Sequence, residues 1–401
     1  MNDENDELTR LFQRHVCQTS AEPIGLVVSR AEGTRVWSTD GTEYLDLLAG
    51  MGVANVGHRH PEVIAAVRAQ IDRHLHVMVY GEFVQEPQVR LATRLASLLP
   101  ASLSVTYFTS SGAEAVDGAL KTARKHTGRR GFVAFEGSFH GDTWGALSVG
   151  GNPLYREPFE PLLPDVHFLP FDDLAALAAI DGDTAAVIVE PIQAEGGVRI
   201  PSADFLPALR RRCNEVGALL VFDEVVTGCG RTGRTFAFEH WQTAPDLLVL
   251  AKALGGGMPL GAFIGAAEIM STLRHHPPLA HVTTFGGHPV SCAAGLAALE
   301  VLLREDLAAA AAARGARVLA GLTALIGRGG LVAVRGRGLL IGLEFADAGA
   351  CASFTSRAWR ERLILNWTLH QDRVARIAPP LTLSGAEVGD ALDRVARALD
   401  G

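Results

Sequence analysis

PDLLVLAKALGGGMPLG, residues 245 to 261, decides how this chain is read. Leu247 to Leu250 form an apolar run of strand length, followed by Ala251 and a cation, Lys252. Gly255, Gly256 and Gly257 then let the chain turn sharply with no side chain in the way. Only three lysines occur in 401 residues, and arginine carries nearly all the positive charge. The other two, Lys121 and Lys125, sit four apart in a helical pattern. A lysine kept for the most apolar context fits a task closed to arginine, which is to lose a proton and form an imine. A lysine snorkelling from a strand end is the competing reading, to be weighed against what surrounds it.

Working outward, other apolar runs end in the same way. VTYFT (105–109) runs into Ser110, Ser111, Gly112 and Ala113 at the start of a helical pattern. GFVAF (131–135) leads to Phe139, His140 and Gly141; AAVIV (185–189) to Glu190; ALLVF (218–222) to Asp223 and Glu224. Strands that are apolar throughout are buried on both faces, so the sheet is mostly parallel and covered by helices. In such sheets the carboxyl edge is where ligands bind. Five strands therefore bring a helix N-terminus suited to phosphate, an aromatic ring, two carboxylates and a lysine to one edge. Taken singly these residues have plainer readings. A Ser-Gly helix start is usually a cap, and Phe139 alone would be a core aromatic. Together they are the parts that pyridoxal 5′-phosphate (PLP) requires. The lysine forms a Schiff base, and the acid keeps the pyridine nitrogen protonated.

Composition sets the outer limits. Hydrophobic residues make up 48% and charged ones 20%, with a formal charge of −8. Those values suit a globular enzyme and argue against a nucleic-acid surface. Five scattered cysteines read as reduced thiols, and the acidic N-terminus does not read as a targeting segment, so a cytoplasmic protein is expected. No apolar run approaches the roughly 20 residues of a membrane helix. His58 and His60 lack a third ligand at suitable spacing, so no metal is expected. Residues 27–50 alternate around Asp40-Gly41 as an antiparallel meander, and Pro61 opens a helix. After about residue 290 a long helix from Val290 to about Ile326 is expected. It leads to two β runs joined through Gly336 and Gly338, then a helix and a strand around Val374 to Ile377.

SSGAEAVDGALKTARKHTGR, FHGDTWGALS, VIVEPIQAEGGV, VFDEVVTGCGRTGRTFAFEH, PDLLVLAKALGGGMPLGA and TTFGGHPVSCAAG, in that order, resemble the class III aminotransferases of PLP fold type I, of the ornithine, acetylornithine and ω-amino acid type. The resemblance runs from about Gly25 to the C-terminus. It implies an α/β chain whose large domain has a mostly parallel, seven-stranded-type sheet flanked by helices. A smaller α+β domain would be built from both termini. The expected division is 1–55 for the N-terminal arm and meander, 56–290 for the PLP-binding domain and 291–401 for the C-terminal small domain. The resemblance also implies a homodimer with shared active sites.

Carried over on these motifs, Lys252 would hold the cofactor and shuttle the substrate proton, and Asp223 would pair with the pyridinium. Ser111, Gly112 and Ala113 would hold the phosphate, with Thr284 reaching in from the partner subunit. Phe139 would stack on one face of the ring with His140 beside it, Val225 would pack on the other face, and Glu190 would support the site from behind. Arg376 of RIAPP resembles the family's carboxylate-binding arginine, and Glu195 the acid that pairs with it and swings away for a dicarboxylate.

Departures concern the substrate. Met51 stands where ornithine-using relatives have tyrosine, and Asp142 where acetylornithine-type relatives have arginine. Val226 replaces a glutamine that reaches the ring hydroxyl, so that contact is lost or passes to Gln193. His76 lies near a position that gates the pocket. The expected reaction moves an amino group from an amino acid or ω-amino compound to an oxo acid, with 2-oxoglutarate the expected acceptor. An aminomutase or decarboxylase on the same fold is the alternative, and a switchable arginine argues for transamination.

Overall fold

The computed structural model describes residues 2–79 and 81–400. A helix, Asn2–His15, precedes an antiparallel meander of β1 (Val28–Glu32), β2 (Arg35–Ser38) and β3 (Glu43–Asp46). The turn between β2 and β3 falls at Asp40-Gly41, where the Asp40 carboxylate accepts a hydrogen bond from the Thr42 N–H at 2.8 Å. Pro61 is the first residue of the helix Pro61–Arg73, where its missing N–H costs nothing.

The central sheet contains β4 (Val105–Thr109), β5 (Gly131–Phe135), β6 (Val166–Leu169), β7 (Thr184–Val189), β8 (Leu219–Asp223), β9 (Leu247–Leu250) and β10 (Gly261–Gly265). Their spatial order is β4-β10-β9-β8-β7-β5-β6. Neighbours from β9 to β6 pair in parallel, and β10 lies antiparallel to both β9 and β4. Six strands therefore run one way, and the expected carboxyl edge exists. The strands β7, β9 and β10 are buried at every position, which is why their sequences show no alternation. Each buried Val, Leu or Ile there contributes about 1.5–3 kcal/mol. The helix Gly112–Thr127 packs Ala115, Val116, Ala119 and Ala123 inward, a stripe at helical spacing.

C-terminal to this sheet are β11 (Leu331–Arg337), β12 (Leu340–Phe345), β13 (Leu363–Ile364), β14 (Asn366–Thr368) and β15 (Gln371–Ile377). Four of them form a sheet in the order β11-β12-β15-β14, while β13 pairs in parallel with β3 through Leu363 and Leu45. Sequence reading needs correcting in three places. The long helix from Val290 is two helices, Pro289–Arg304 and Leu307–Thr323, separated where Asp306 takes a left-handed φ of 47°. Aspartate tolerates that conformation better than most residues, so the break costs little. Gly336 lies inside β11, and the chain reverses at Gly338-Leu339 instead. The strands β6, β10, β13 and β14 lie outside the sequence expectation, being short runs with no period of their own.

Candidate active site

At the carboxyl edge, the strand ends line one cavity of about 400 Å³. Ser111, Gly112 and Ala113 follow β4, and Phe139 and His140 follow β5. Glu190 follows β7, Asp223 and Val225 sit at the end of β8, and Lys252 lies just beyond β9. All of these residues line the cavity together with Glu195. Ser111 is the N-cap of Gly112–Thr127, its hydroxyl accepting from the Glu114 N–H at 3.2 Å. The first-turn N–H groups of a 16-residue helix thus open on the cavity. A β-carbon on Gly112 would meet the Val225 methyls at 3.0 Å, so the bare backbone there allows close approach.

Asp223 is 4% exposed and held by two donors. His140 Nδ1 lies 2.7 Å from its Oδ2, and the Val225 N–H donates to Oδ1 at 2.9 Å. His140 Nε2 is buried without a hydrogen-bond partner among the described residues. Glu190 accepts from the Phe139 N–H and the Ala194 N–H, each at 3.0 Å, fastening the Phe139 loop to the end of β7. Burial pushes the Glu190 carboxyl up to about 7, against the opposing effect of His140. In the Phe139 loop Gly141 has φ +118°, and a β-carbon there would come within 2.5 Å of the Ala113 β-carbon. Only glycine allows the aromatic loop to close against the helix start.

Lys252 opens a 3₁₀ turn with φ 47°, a strained conformation for a non-glycine residue that costs on the order of 1–3 kcal/mol. Gly256 and Gly257 complete the reversal with φ 59° and 104°. Burial lowers the Lys252 ammonium below its ordinary value, opposed by Glu195 and reinforced by Arg376.

Arg376, on β15, is 3% exposed and donates through Nη1 to Glu195 Oε1. Its Nη2 lies 3.6 Å from Met51 Sδ. Burial alone would raise the Glu195 carboxyl, but the charge and hydrogen bond of Arg376 outweigh it and hold the group below the usual range. The turn between β14 and β15 adds two contacts that sequence reading missed. The Leu369 N–H donates to Glu195 Oε2 at 2.8 Å, and the His370 N–H donates to the Glu195 carbonyl at 3.0 Å.

Not every expected residue joins the cavity. Thr284, expected in a partner subunit's cavity, is exposed and does not line its own. His76 instead stacks on His288 with centroids 5.5 Å apart, beside Phe285 at 5.1 Å. Val226 lines the cavity, but Gln193 does not replace the missing glutamine. Its amide donates to the Glu136 carbonyl at 2.9 Å and accepts from Arg199 at 3.3 Å. No helix among the described residues is long and apolar enough to cross a membrane.

The family model for class III aminotransferases matches residues 16–399. The chain belongs to the class III aminotransferases. It is 44% identical to an acetylornithine aminotransferase of Methanopyrus kandleri, over 96% of each chain. It is 43% identical to a putrescine aminotransferase of Pectobacterium atrosepticum, over 91% of this chain and 81% of that one. An ornithine aminotransferase from Toxoplasma gondii, solved with partial occupancy of PLP at its active site, superposes with a TM-score of 0.91. That match is 32% identical and covers 98% of this chain and 94% of the other. This class III aminotransferase therefore has PLP fold type I and uses PLP. The cavity fits the group. It offers phosphate donors at the helix start, a carboxylate on β8, a lysine just beyond β9 and an aromatic loop whose glycine leaves no spare room. Its volume is at the low end of the range for small-molecule sites.

Proposed function

We propose that this aminotransferase has 2-oxoglutarate or glutamate as one member of its substrate pair, and an ω-amino compound as the other. Bound in the cavity, PLP supplies the electron sink for the carbon that gives up its proton. Lys252 would anchor the cofactor and carry that proton at Nζ, a task its depressed basicity suits. Asp223, fixed by His140 and Val225, would hold the ring nitrogen in its protonated form. The first turn of Gly112–Thr127 would take the phosphate, with Phe139 and Val225 on either side of the ring. Thr284, exposed and outside its own cavity, would complete the phosphate site of a partner subunit in a homodimer. Residues 56–290 would form the cofactor-binding unit, and 1–55 with 291–401 the smaller one, a division supported by the β3–β13 pairing.

The observation that carries the acceptor reading is the buried Arg376–Glu195 pair beside the cavity. An uncompensated buried guanidinium is costly, so some anion must always face it. Glu195 serves when the substrate brings no distal carboxylate, and a dicarboxylate would displace it by presenting its own carboxylate to the guanidinium fork. Acetylornithine, putrescine and ornithine, named for the relatives, place the reacting amine on a short aliphatic chain. Met51 and Asp142 make ornithine and acetylornithine the weaker members of that class. A screen of purified enzyme against ω-amines, with 2-oxoglutarate and pyruvate as acceptors, tests both halves. Turnover with 2-oxoglutarate is expected; use of pyruvate alone would sink the acceptor assignment.

A further inference from the structure

Glu195 is gripped from more sides than a freely swinging acid requires. Arg376 takes Oε1, and the Leu369 N–H takes Oε2 at 2.8 Å. The residues that make this second grip sit on the turn between β14 and β15, which is itself fastened down. Tyr155 Oη donates to the Leu369 carbonyl at 2.9 Å, and the Tyr155 ring stacks on His370 with centroids 5.0 Å apart. His370 also meets the edge of Phe139 at 5.5 Å, its Nδ1 lies 3.3 Å from the Gly137 carbonyl, and its N–H holds the Glu195 backbone. The turn thus touches the acid of the substrate switch on one side and the aromatic loop on the other.

From this geometry we infer that the Leu369-His370 turn, pinned by Tyr155, is a latch that holds Glu195 on Arg376 and so sets the enzyme's preference between dicarboxylates and other substrates. The inference rests on the reading of Arg376 and Glu195 as a dicarboxylate switch. To expose Arg376, Glu195 must give up the Leu369 hydrogen bond as well as the guanidinium. A hydrogen bond to a charged group is among the stronger ones in a protein, so every dicarboxylate bound works against it. Leu369, His370 and Tyr155 are positioning residues here, acting through Glu195.

The latch can be opened without touching the carboxylate or the guanidinium. Leu369→Pro removes the backbone donor, together with the largely surface-lying leucine side chain, at a turn position outside the left-handed region where proline is tolerated. The second variant, Tyr155→Phe, removes the anchor of the turn. The readout is calorimetric binding of glutarate, an unreactive dicarboxylate, to the cofactor-loaded enzyme, together with KM and kcat for 2-oxoglutarate. Opening the latch should tighten glutarate and lower the 2-oxoglutarate KM by about tenfold in Leu369→Pro, and less in Tyr155→Phe, with kcat little changed. A merely structural turn would lower kcat or weaken glutarate instead. Glu195→Gln and Arg376→Ala serve as controls. If Glu195→Gln fails to tighten glutarate and Arg376→Ala fails to weaken it, the switch itself is wrong. If both controls behave and glutarate affinity is unchanged or weaker in the latch variants, the latch is wrong and the switch stands. Should Leu369→Pro not fold, Tyr155→Phe decides alone.

Discussion

Asp223 shows how the chemistry is set at the level of single residues. An ionised carboxylate at the end of an apolar strand is costly, and here His140 and the Val225 N–H meet it on one side while the cavity lies on the other. Asp223→Asn keeps the shape and removes the charge. The variant should still bind PLP, while turnover falls by about 10²-fold or more, the scale on which a group governing protonation acts. Cofactor content by absorbance and kcat measured on the same sample check this; full rate would make Asp223 a structural cap. Asp223 was legible in the sequence because a charged residue closing an apolar run needs a partner. Leu369, His370 and Tyr155 were not. The Leu369 link to Glu195 passes through a backbone N–H and spans 174 residues, and Tyr155 reaches the turn through a backbone carbonyl; neither leaves a mark on side-chain pattern.

The elements were readable in proportion to the strength of their periodicity. Strand ends carrying Ser111, Glu190, Asp223 and Lys252 stood out as polar residues after buried runs, and the structure brings all four to one cavity. The strands β6 and β10 lack any such terminal signal. The break at Asp306 was hidden because Glu305 and Asp306 fit a helical pattern as well as they fit a helix start. Beyond the cavity, Glu224 ties the end of β8 to the segment 236–238, accepting from the Ala237 N–H at 2.5 Å and the Phe238 N–H at 2.8 Å. Burial raises its carboxyl to about 8 despite those bonds. A raised folded-state value means the group's stabilising contribution is complete below about pH 4.5 and is lost as pH rises towards 8. Melting temperatures of apoprotein and of Glu224→Gln, compared from pH 5 to pH 9, should therefore diverge, with wild type losing ground as pH rises. A constant difference across that range would show that Glu224 is ionised throughout.

For the molecule as a whole, the proposed function asks for Thr284 of a second chain at each site. Thr284 is exposed on the segment leading into Pro289–Arg304, away from its own cavity. If the sites are shared across a dimer as proposed, a mixture of Lys252→Ala and Thr284→Ala chains would give heterodimers in which one site collects both lesions and the other has neither. Activity should reappear on mixing; its absence, with heterodimers demonstrated by mass, would place Thr284 outside the partner's site. The N- and C-terminal segments meet through β3 and β13, and Arg231 joins them to the central sheet. Its guanidinium is fully buried and donates to Asn55 Oδ1 at 2.5 Å, to the Leu339 carbonyl at 3.0 Å and to the Pro379 carbonyl at 2.5 Å. Arg376 lies close enough that its charge, like burial, weakens Arg231's hold on its proton. Arg376 thus lies near the point where the three segments converge.

The claim on which the rest depends is that Arg376 recognises the distal carboxylate of one substrate only. Single-turnover measurement of each half-reaction in Arg376→Ala tests it most directly. The half-reaction with 2-oxoglutarate or glutamate should lose roughly 2–5 kcal/mol in apparent affinity, the cost of removing one member of a buried charge pair. The half-reaction with the ω-amine should be little affected. Equal loss in both would mean that Arg376 grips a carboxylate common to the two substrates and that Glu195 switches nothing.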